Sequence, residues 1–170
     1  MCIRDSSGVD LIILEAMSSQ ASIIETVIEC SNKIKIPVWL SISCVFDQNK
    51  KVNLGYDDDI NKNKAQVYEN FEKSLKEFIK SHSGPILVAH SNMNVTGEAI
   101  KILKKNCNNI IGAYPNRGYF IKPEWKFCDK IKPGDYLDKA KSWIKDGAQI
   151  IGGCCGIGFE EIKEISILKN

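Results

Sequence analysis

Two adjacent cysteines near the end of the chain, Cys154 and Cys155, have the residue types and spacing that most clearly allow chemistry. Two glycines separate them from the apolar pair Ile150-Ile151, and further glycines follow. Adjacent thiolates can both bind one soft metal ion, and Zn²⁺ is the usual occupant of sulfur sites. A third ligand from another strand would leave a fourth position open, as in catalytic zinc sites. The alternative is a pair of small buried hydrophobic side chains in a tight turn, and the spacing alone leaves both open.

The elements that must position these cysteines alternate between strands and helices. Continuous apolar runs indicate strands buried on both faces, and the amphipathic stretches between them indicate helices. The predicted strands are 11–14, 38–43, 86–89, 110–114 and 149–151. The predicted helices are 20–33, 65–80, 97–105 with Thr96 as its cap, 136–145 with Asp135 as its cap, and 159–168. Polar residues predict long loops over 47–63 and from the fourth strand to Pro133.

Five strand–helix units in succession require parallel pairing with right-handed crossovers, which defines an α/β protein. Two architectures fit: a complete doubly wound sheet, or the latter part of an eight-stranded barrel. Residues 8–10 resemble the turn between a helix and a strand, so we expect the fold to begin in its middle. Residues 1–7 match no element, and we expect a non-native or disordered lead. The sequence therefore favours a partial (β/α)8 TIM barrel.

Composition excludes several classes of function. The chain has 170 residues and a formal net charge of +2, which gives no electrostatic reason to bind nucleic acid or an anionic membrane. No apolar run approaches the roughly 20 residues needed to cross a bilayer. Seven cysteines are an odd number in a chain that does not need disulfides for stability. We therefore expect a reduced, cytoplasmic protein of unknown oligomeric state.

Three segments carry a resemblance to the homocysteine S-methyltransferase family, which includes betaine- and S-methylmethionine-dependent enzymes. The cysteine segment resembles the family's C-terminal signature, GGCCG followed by a small residue and Gly-Pro-Glu-His-Ile, although Phe159 and Glu161 depart from it. The segment 113–118 is similar to the family's Tyr-Pro-Asn-Ser-Gly, with Arg117 in place of a small residue. Residues 8–15 look like the family's strand that ends in a substrate-binding glutamate, although Ala16 replaces the Thr that often follows.

This resemblance implies both an architecture and a reaction. Residues 8–170 would form the C-terminal part of a homocysteine-binding barrel, with strands four to eight. In the family, three cysteine thiolates hold Zn²⁺, and the thiolate of homocysteine takes the open position. That thiolate attacks the methyl group of a small onium donor, and the product is methionine. Because strands one to three are missing, we expect the 170-residue chain alone to be poorly soluble or inactive.

The resemblance also implies roles for individual residues. Cys154 and Cys155 would be zinc ligands, and Glu15 would bind the amino group of homocysteine. His90 stands where the family has its first cysteine, and imidazole is a good zinc ligand, so we expect a His-Cys-Cys site. Tyr114 and Asn116 lie at the rim where barrel active sites form, and they could orient the amino acid or the methyl donor.

Weaker candidates and other classes of function stay open. Asp57–Asp59 suggest a solvated loop, and Trp125 and Phe127 could contact an onium donor or simply pack a loop. His82 is expected to be structural or exposed, and neither Cys44 nor Cys107 is a convincing substitute for the missing family cysteine. The alternatives to the enzyme are a non-catalytic or metal-free member of the family and a vicinal-thiol metal or redox protein.

Overall fold

The computed structural model describes residues 8–57, 65–117, 119–121, 126–128 and 131–169. The expected lead at 1–7, Asp58, Asp59 and Trp125 lie outside these residues, as does the side chain of Phe127.

The strands and helices alternate as the sequence indicates. The strands are β1 Ile12–Met17, β2 Val38–Ile42, β3 Cys44–Phe46, β4 Val52–Tyr56, β5 Gln66–Asn70, β6 Ile86–Asn92, β7 Ile111–Asn116, β8 Tyr119–Ile121, β9 Lys126–Cys128 and β10 Ile150–Ile151. The helices are α1 Ala21–Ser31, α2 Phe71–Ser81, α3 Met93–Asn106, α4 Pro133–Lys145 and α5 Phe159–Ile165, the last followed by the 3-10 turn Ser166–Leu168. All five predicted strands and all five predicted helices are therefore present.

The main sheet decides between the two architectures. Its strands lie in the order β1-β2-β6-β7-β10, and every neighbouring pair is parallel. This order follows the chain without the reversal that a doubly wound sheet requires. Each helix also contacts the next along the chain, so the helices form a single layer. The sheet is therefore an arc of a barrel, as predicted, and not a complete doubly wound domain.

The two faces of this sheet have different compositions. Side chains alternate between the faces of a strand, and the register places Ser41 beside Leu87, Leu87 beside Gly112, and Gly112 beside Ile150. This face also carries Tyr114, in register with Ala89. The opposite face packs with the helices in the hydrophobic core through Leu40, Ile42, Ile86, Val88, Ile111 and Ala113. The face that packs against the helices thus stabilises the fold. The face that carries Ser41 and Tyr114 is available for a functional site.

The predicted loop over 47–63 is wrong for the part that the structure describes. Strand β4 lies in this range and pairs with β3 and β5 in a separate antiparallel sheet. Residues 66–70 form β5 and not the start of the predicted helix 65–80. Strand β4 alternates apolar Val52, Leu54 and Tyr56 with Asn53 and Gly55, but it is only five residues long and lies between polar segments. In β5, Val67 continues the four-residue spacing of Phe71 and Leu75, which indicates a helix. Gly55 has φ +151°, and a Cβ there would lie 2.0 Å from the carbonyl oxygen of Gln66.

Two predicted helix caps are also wrong. Asn92 caps α3 by accepting a hydrogen bond from the backbone N–H of Asn94, whereas Thr96 lies inside the helix and donates to the carbonyl of Asn92. Helix α4 begins at Pro133, so Asp135 lies in its first turn. Proline is favoured at this position because its missing N–H would have no partner there. Within the described residues, no helix is long and apolar enough to cross a membrane.

Neighbouring isoleucines on α1 test the packing of the helix layer. Ile24 is fully buried, whereas Ile23 is 51% exposed. We predict that Ile24→Ala lowers the free energy of unfolding by about 2–5 kcal/mol, because it leaves a cavity in the core. The control Ile23→Ala should change it by no more than about 0.5 kcal/mol. Urea unfolding followed by circular dichroism measures both, and equal effects of the two variants would contradict this packing.

Candidate metal centre

His90 lies where strand β6 departs from regular pairing. The register between β6 and β7 shifts between Ala89 and Asn92, and His90 has φ +46°, a left-handed conformation that few residues other than glycine adopt. Such bulges redirect a side chain and are frequent next to active sites. Strand β1 has a similar bulge. Its register with β2 shifts between Leu14 and Met17, and Ala16 has φ +47°.

The chain at the start of the small antiparallel sheet supports the His90 bulge, through Ser43 just before β3 and Cys44 at its first position. The hydroxyl of Ser43 donates to the carbonyl of His90 at 2.9 Å. The hydroxyl of Ser91 accepts from the backbone N–H of Cys44 at 2.8 Å and donates to the carbonyl of Ala89 at 2.6 Å. Both serines are buried, so these bonds satisfy polar groups that would otherwise lie unpaired in the interior.

The cysteine turn is held against the end of β7. The backbone N–H of Cys154 donates to the carbonyl of Pro115 at 3.0 Å. The hydroxyl of Tyr136 on α4 donates to the carbonyl of Gly152. Glycine is required at Gly153, where a Cβ would lie 2.2 Å from a methyl carbon of Ile157. These contacts let the chain reverse tightly just after β10, with both thiols on the turn.

His90, Cys154 and Cys155 come together as the sequence predicts. The Nδ1 atom of His90 lies 4.0 Å from Sγ of Cys154 and 3.7 Å from Sγ of Cys155. The two sulfurs are 3.8 Å apart. Among the described residues, this is the one group of three or more histidine, cysteine or acidic side chains arranged closely enough to hold a metal ion.

The donor set and its spacing fit Zn²⁺. In a tetrahedral site with zinc–sulfur bonds of about 2.3 Å, two ligand sulfurs lie about 3.8 Å apart. A sulfur and an imidazole nitrogen lie about 3.5 Å apart in the same site. The observed separations of 3.7 to 4.0 Å are close to these values. His90, Cys154 and Cys155 are therefore the residues that could hold zinc, and they leave one tetrahedral position for another ligand.

Asn116 contacts the candidate ligand His90. Its side-chain nitrogen lies 3.4 Å from Nδ1 of His90. The single lone pair of an unprotonated Nδ1 can accept from this amide or bind a metal ion, so Asn116 would have to release Nδ1 if His90 bound a metal. The carbonyl oxygen of the same amide is buried and accepts no hydrogen bond from the described part of the chain. The predicted residue Asn116 thus lies beside the candidate metal site.

Glu15 and Tyr114 form a second polar group next to the thiols. The hydroxyl of Tyr114 donates to the exposed carboxylate of Glu15 at 3.0 Å and also contacts Oγ of Ser41. Ser41 Oγ accepts from the backbone N–H of Ala16 at 3.1 Å, which ties the group to the β1 bulge. Burial raises the pKa of the Tyr114 phenol well above its ordinary range, and the charges of Glu15 and Cys154 raise it further against an opposing hydrogen bond with Ser41. Tyr114 therefore stays protonated and keeps Glu15 oriented.

The group of three donor atoms does not include His82, Cys44 or Cys107. His82 is buried at the end of α2, before β6, with Nε2 3.1 Å from the carbonyl of Pro85, so it is structural, and burial lowers its pKa. Cys107 follows α3 and contacts the carbonyl of Leu103. Cys44 is buried at the beginning of β3, and burial raises the pKa of its thiol. Cys44, Asp57 and His90 line a common cavity of about 190 Å³.

Sequence reasoning missed three residues that surround the site. The sequence indicates Ser41 only as part of a strand, although its hydroxyl joins Tyr114 to the β1 bulge. Arg117 and Glu161 were noted only as departures from a family pattern, yet they form an ion pair of 2.7 Å. A signal for Ser41 exists: it is a polar residue inside an apolar strand, next to the position of Leu40 in the core.

Comparison with known proteins places the chain in one family. The family model described as homocysteine S-methyltransferase matches residues 3–168. The chain is similar to homocysteine S-methyltransferase YbgG of Bacillus subtilis, with 40% identity over 68 residues, 39% of this chain and 22% of that protein. It is also similar to homocysteine S-methyltransferase 3 of Zea mays, with 27% identity over 170 residues, 96% of this chain and 46% of that protein. The chain spans less than half the length of these relatives.

The solved structures agree with the barrel architecture. The metallated form of the homocysteine methyltransferase MmuM from Escherichia coli matches with a TM-score of 0.67 and 17% identity, over 96% of this chain and 46% of that chain. Its apo form matches with a TM-score of 0.65 and 16% identity, over 95% of this chain and 50% of that chain. These structures support the fold.

The environment of Tyr114 can be tested by titration. We predict that the wild type and Tyr114→Phe show the same phenolate absorbance as the pH rises through about 10, the ordinary value for tyrosine. The physical reason is that burial, together with the charges of Glu15 and Cys154, raises the pKa of this phenol. Near-ultraviolet absorbance measures the difference. An additional tyrosine ionising in the wild type near pH 10 would contradict the buried environment.

Proposed function

Because the chain belongs to the homocysteine S-methyltransferase family, we propose that it supplies the zinc ligands and part of the homocysteine site of a methyltransferase. The complete reaction moves a methyl group from a small onium donor to the thiolate of homocysteine and gives methionine. The observation that supports this most directly is the cluster of His90, Cys154 and Cys155, whose three donor atoms lie within 4.8 Å of one another.

The role of each ligand follows from its chemistry. Cys154 and Cys155 would bind Zn²⁺ as thiolates, and His90 would bind it through the neutral Nδ1 atom. Zinc bound there would lower the pKa of the substrate thiol, so that its sulfur is present as a thiolate at neutral pH. Cysteine ligands bind metal only while they are reduced, and Cys154 and Cys155 are free thiols, so a reducing, cytoplasmic compartment is part of the proposal.

The polar group beside the thiols would bind the amino-acid end of homocysteine. The carboxylate of Glu15 is exposed and acceptor-only when ionised, which suits the ammonium group of an amino acid. Tyr114 holds one carboxylate oxygen of Glu15 through a hydrogen bond of 3.0 Å, so the binding geometry is fixed before the substrate arrives. Fixing this orientation in advance lowers the entropy cost of placing the sulfur next to its methyl donor.

The transfer balances without a general acid in the protein. The thiolate sulfur forms a bond to the methyl carbon while the bond from that carbon to the positively charged nitrogen or sulfur of the donor breaks. The electron pair of the breaking bond stays on the leaving group, which departs as a neutral amine or sulfide. No proton has to be moved in this step, so the residues of this chain act by binding and orientation.

Histidine at position 90 changes the charge of the ligand set. Two thiolates and a neutral imidazole carry one less negative charge than three thiolates. The substrate sulfur would therefore be less electron-rich and a weaker nucleophile than in a three-cysteine site. His90 would therefore give slower methyl transfer than a cysteine. It is still a good zinc ligand, since imidazole binds zinc at about 2.0–2.1 Å.

Zinc content and methyl transfer test the proposal together. We predict that the full-length protein purified under reducing conditions holds about one zinc per chain. It should also methylate homocysteine with an onium donor. His90→Ala and Cys154→Ser should lose most of the metal and the activity, because each removes one of three ligands. Elemental analysis measures the zinc, and mass spectrometry measures methionine.

His90→Cys is the matched variant for this experiment. It restores a thiolate at the same position, so we expect it to retain zinc and to transfer methyl groups at least as fast as the wild type. His82→Ala, which changes a buried histidine remote from the thiols, should keep its zinc. A wild-type protein that binds no zinc under reducing conditions would contradict the proposal and would favour a metal-free member of the family.

A further inference from the structure

A buried ion pair lies directly behind the cysteine turn. The guanidinium Nη1 of Arg117 donates to Oε1 of Glu161 at 2.7 Å. The side chain of Arg117 is 16% exposed and that of Glu161 is 4% exposed. Charged side chains with so little access to water are rare unless they are paired, so the two positions depend on each other.

Arg117 holds the turn through both its backbone and its side chain. Its backbone N–H donates to the carbonyl of Cys155 at 2.8 Å. Its guanidinium also donates to the carbonyl of Gly156 at 3.4 Å. The residue therefore contacts the peptide groups of a candidate ligand and of the next residue, while its own position is set by the end of β7.

Glu161 holds the other end of the same turn. Its second carboxylate oxygen, Oε2, accepts from the backbone N–H of Gly158 at 2.8 Å, while Oε1 takes the arginine. Both carboxylate oxygens therefore accept hydrogen bonds. The chain from Cys155 to Glu161 is bonded at each end to Arg117, which directly follows β7. Gly156 lies between these points with φ +79°, so the backbone there has little conformational preference of its own.

We propose that Arg117 and Glu161 are positioning residues that fix the cysteine turn in the conformation in which both thiols face His90. This inference rests on the proposed function in that the thiols serve as metal ligands. Residues that orient metal ligands without touching the metal raise affinity, because less conformational freedom is lost when the metal binds. Arg117 contacts the backbone carbonyl of Cys155, and Glu161 in α5 contacts the backbone N–H of Gly158. Neither side chain is itself a metal ligand.

The unequal exposure of the pair predicts a specific pattern of variants. Replacing Arg117 alone leaves a carboxylate buried without its charged partner, whereas replacing both residues removes the buried charge altogether. The effects of Arg117→Gln and Glu161→Gln on zinc affinity should therefore not add. Glu161→Gln keeps an oxygen that can accept from Gly158, so it should weaken zinc binding less than Arg117→Gln.

Zinc affinity of the full-length protein, measured by competition with a chromophoric chelator, tests the proposal. We expect Arg117→Gln to weaken zinc binding by about 10–100-fold. The double variant Arg117→Gln/Glu161→Gln should be no weaker than Arg117→Gln. The double variant contains no unpaired buried charge. Its zinc affinity can therefore be measured if Arg117→Gln alone does not fold. The matched control is Glu98→Gln, which breaks the exposed pair of Glu98 and Lys101 at 2.9 Å and should leave zinc affinity unchanged.

The visible absorption spectrum of the cobalt-substituted protein gives a second measurement. A general loss of stability would not change this spectrum. The intensity and position of the thiolate-to-cobalt bands depend on ligand geometry, so they should change in Arg117→Gln and not in Glu98→Gln. Zinc affinity and cobalt spectra equal to those of the wild type in folded Arg117→Gln and in the double variant would overturn the positioning role.

The rate of thiol alkylation in the metal-free protein separates this inference from the proposed function. If the wild type binds no zinc, the proposed function fails, but the turn can still be tested. Faster alkylation of Cys155 in Arg117→Gln than in Glu98→Gln would support a turn held by the ion pair. Equal alkylation rates in the two variants would overturn it.

Discussion

The pairing of β6 and β10 with the two edges of β7 is the constraint on which the site depends. His90 belongs to β6, and Cys154 and Cys155 follow β10, 64 and 65 residues further along the chain. Parallel pairing brings the carboxyl ends of these strands to the same rim, on either side of β7. The backbone of β7 then fixes the cysteine turn directly, through Pro115 and Arg117. Without this arrangement the imidazole and the two thiols would have no reason to converge.

Strand β7 also carries the polar side chains that surround the donor atoms. Tyr114 holds Glu15 from the edge strand β1, and Asn116 contacts His90. Arg117, just past the strand, pairs with Glu161 behind the turn. A short stretch of one strand thus connects the candidate substrate group, the imidazole and the thiols. The small antiparallel sheet has a complementary role, because Ser43 and the backbone of Cys44 stabilise the left-handed conformation of His90.

Much of this could be predicted from the sequence, and the exceptions have physical causes. The apolar runs of the main sheet are buried on both faces, so β2, β6 and β7 were recognisable from composition alone. The convergence of His90 with the two cysteines followed from parallel strands and from the family motifs. Strands β3 and β4 are hard to predict because they have only three and five residues, and β5 because Val67 lies at helical spacing from Phe71 and Leu75. The ion pair of Arg117 could not be predicted, because its partner Glu161 lies 44 residues away. A bulge such as that at His90 leaves no mark in hydrophobic periodicity.

The central claim is that zinc is bound by two sulfurs and one imidazole nitrogen of this chain. Zinc X-ray absorption spectroscopy of the substrate-free, full-length protein measures the ligand set directly. The account predicts about two sulfur neighbours at about 2.3 Å and a histidine nitrogen at about 2.0 Å, with the nitrogen signal replaced by sulfur in His90→Cys. A spectrum with three sulfurs in the wild type, or with only nitrogen and oxygen neighbours, would contradict it.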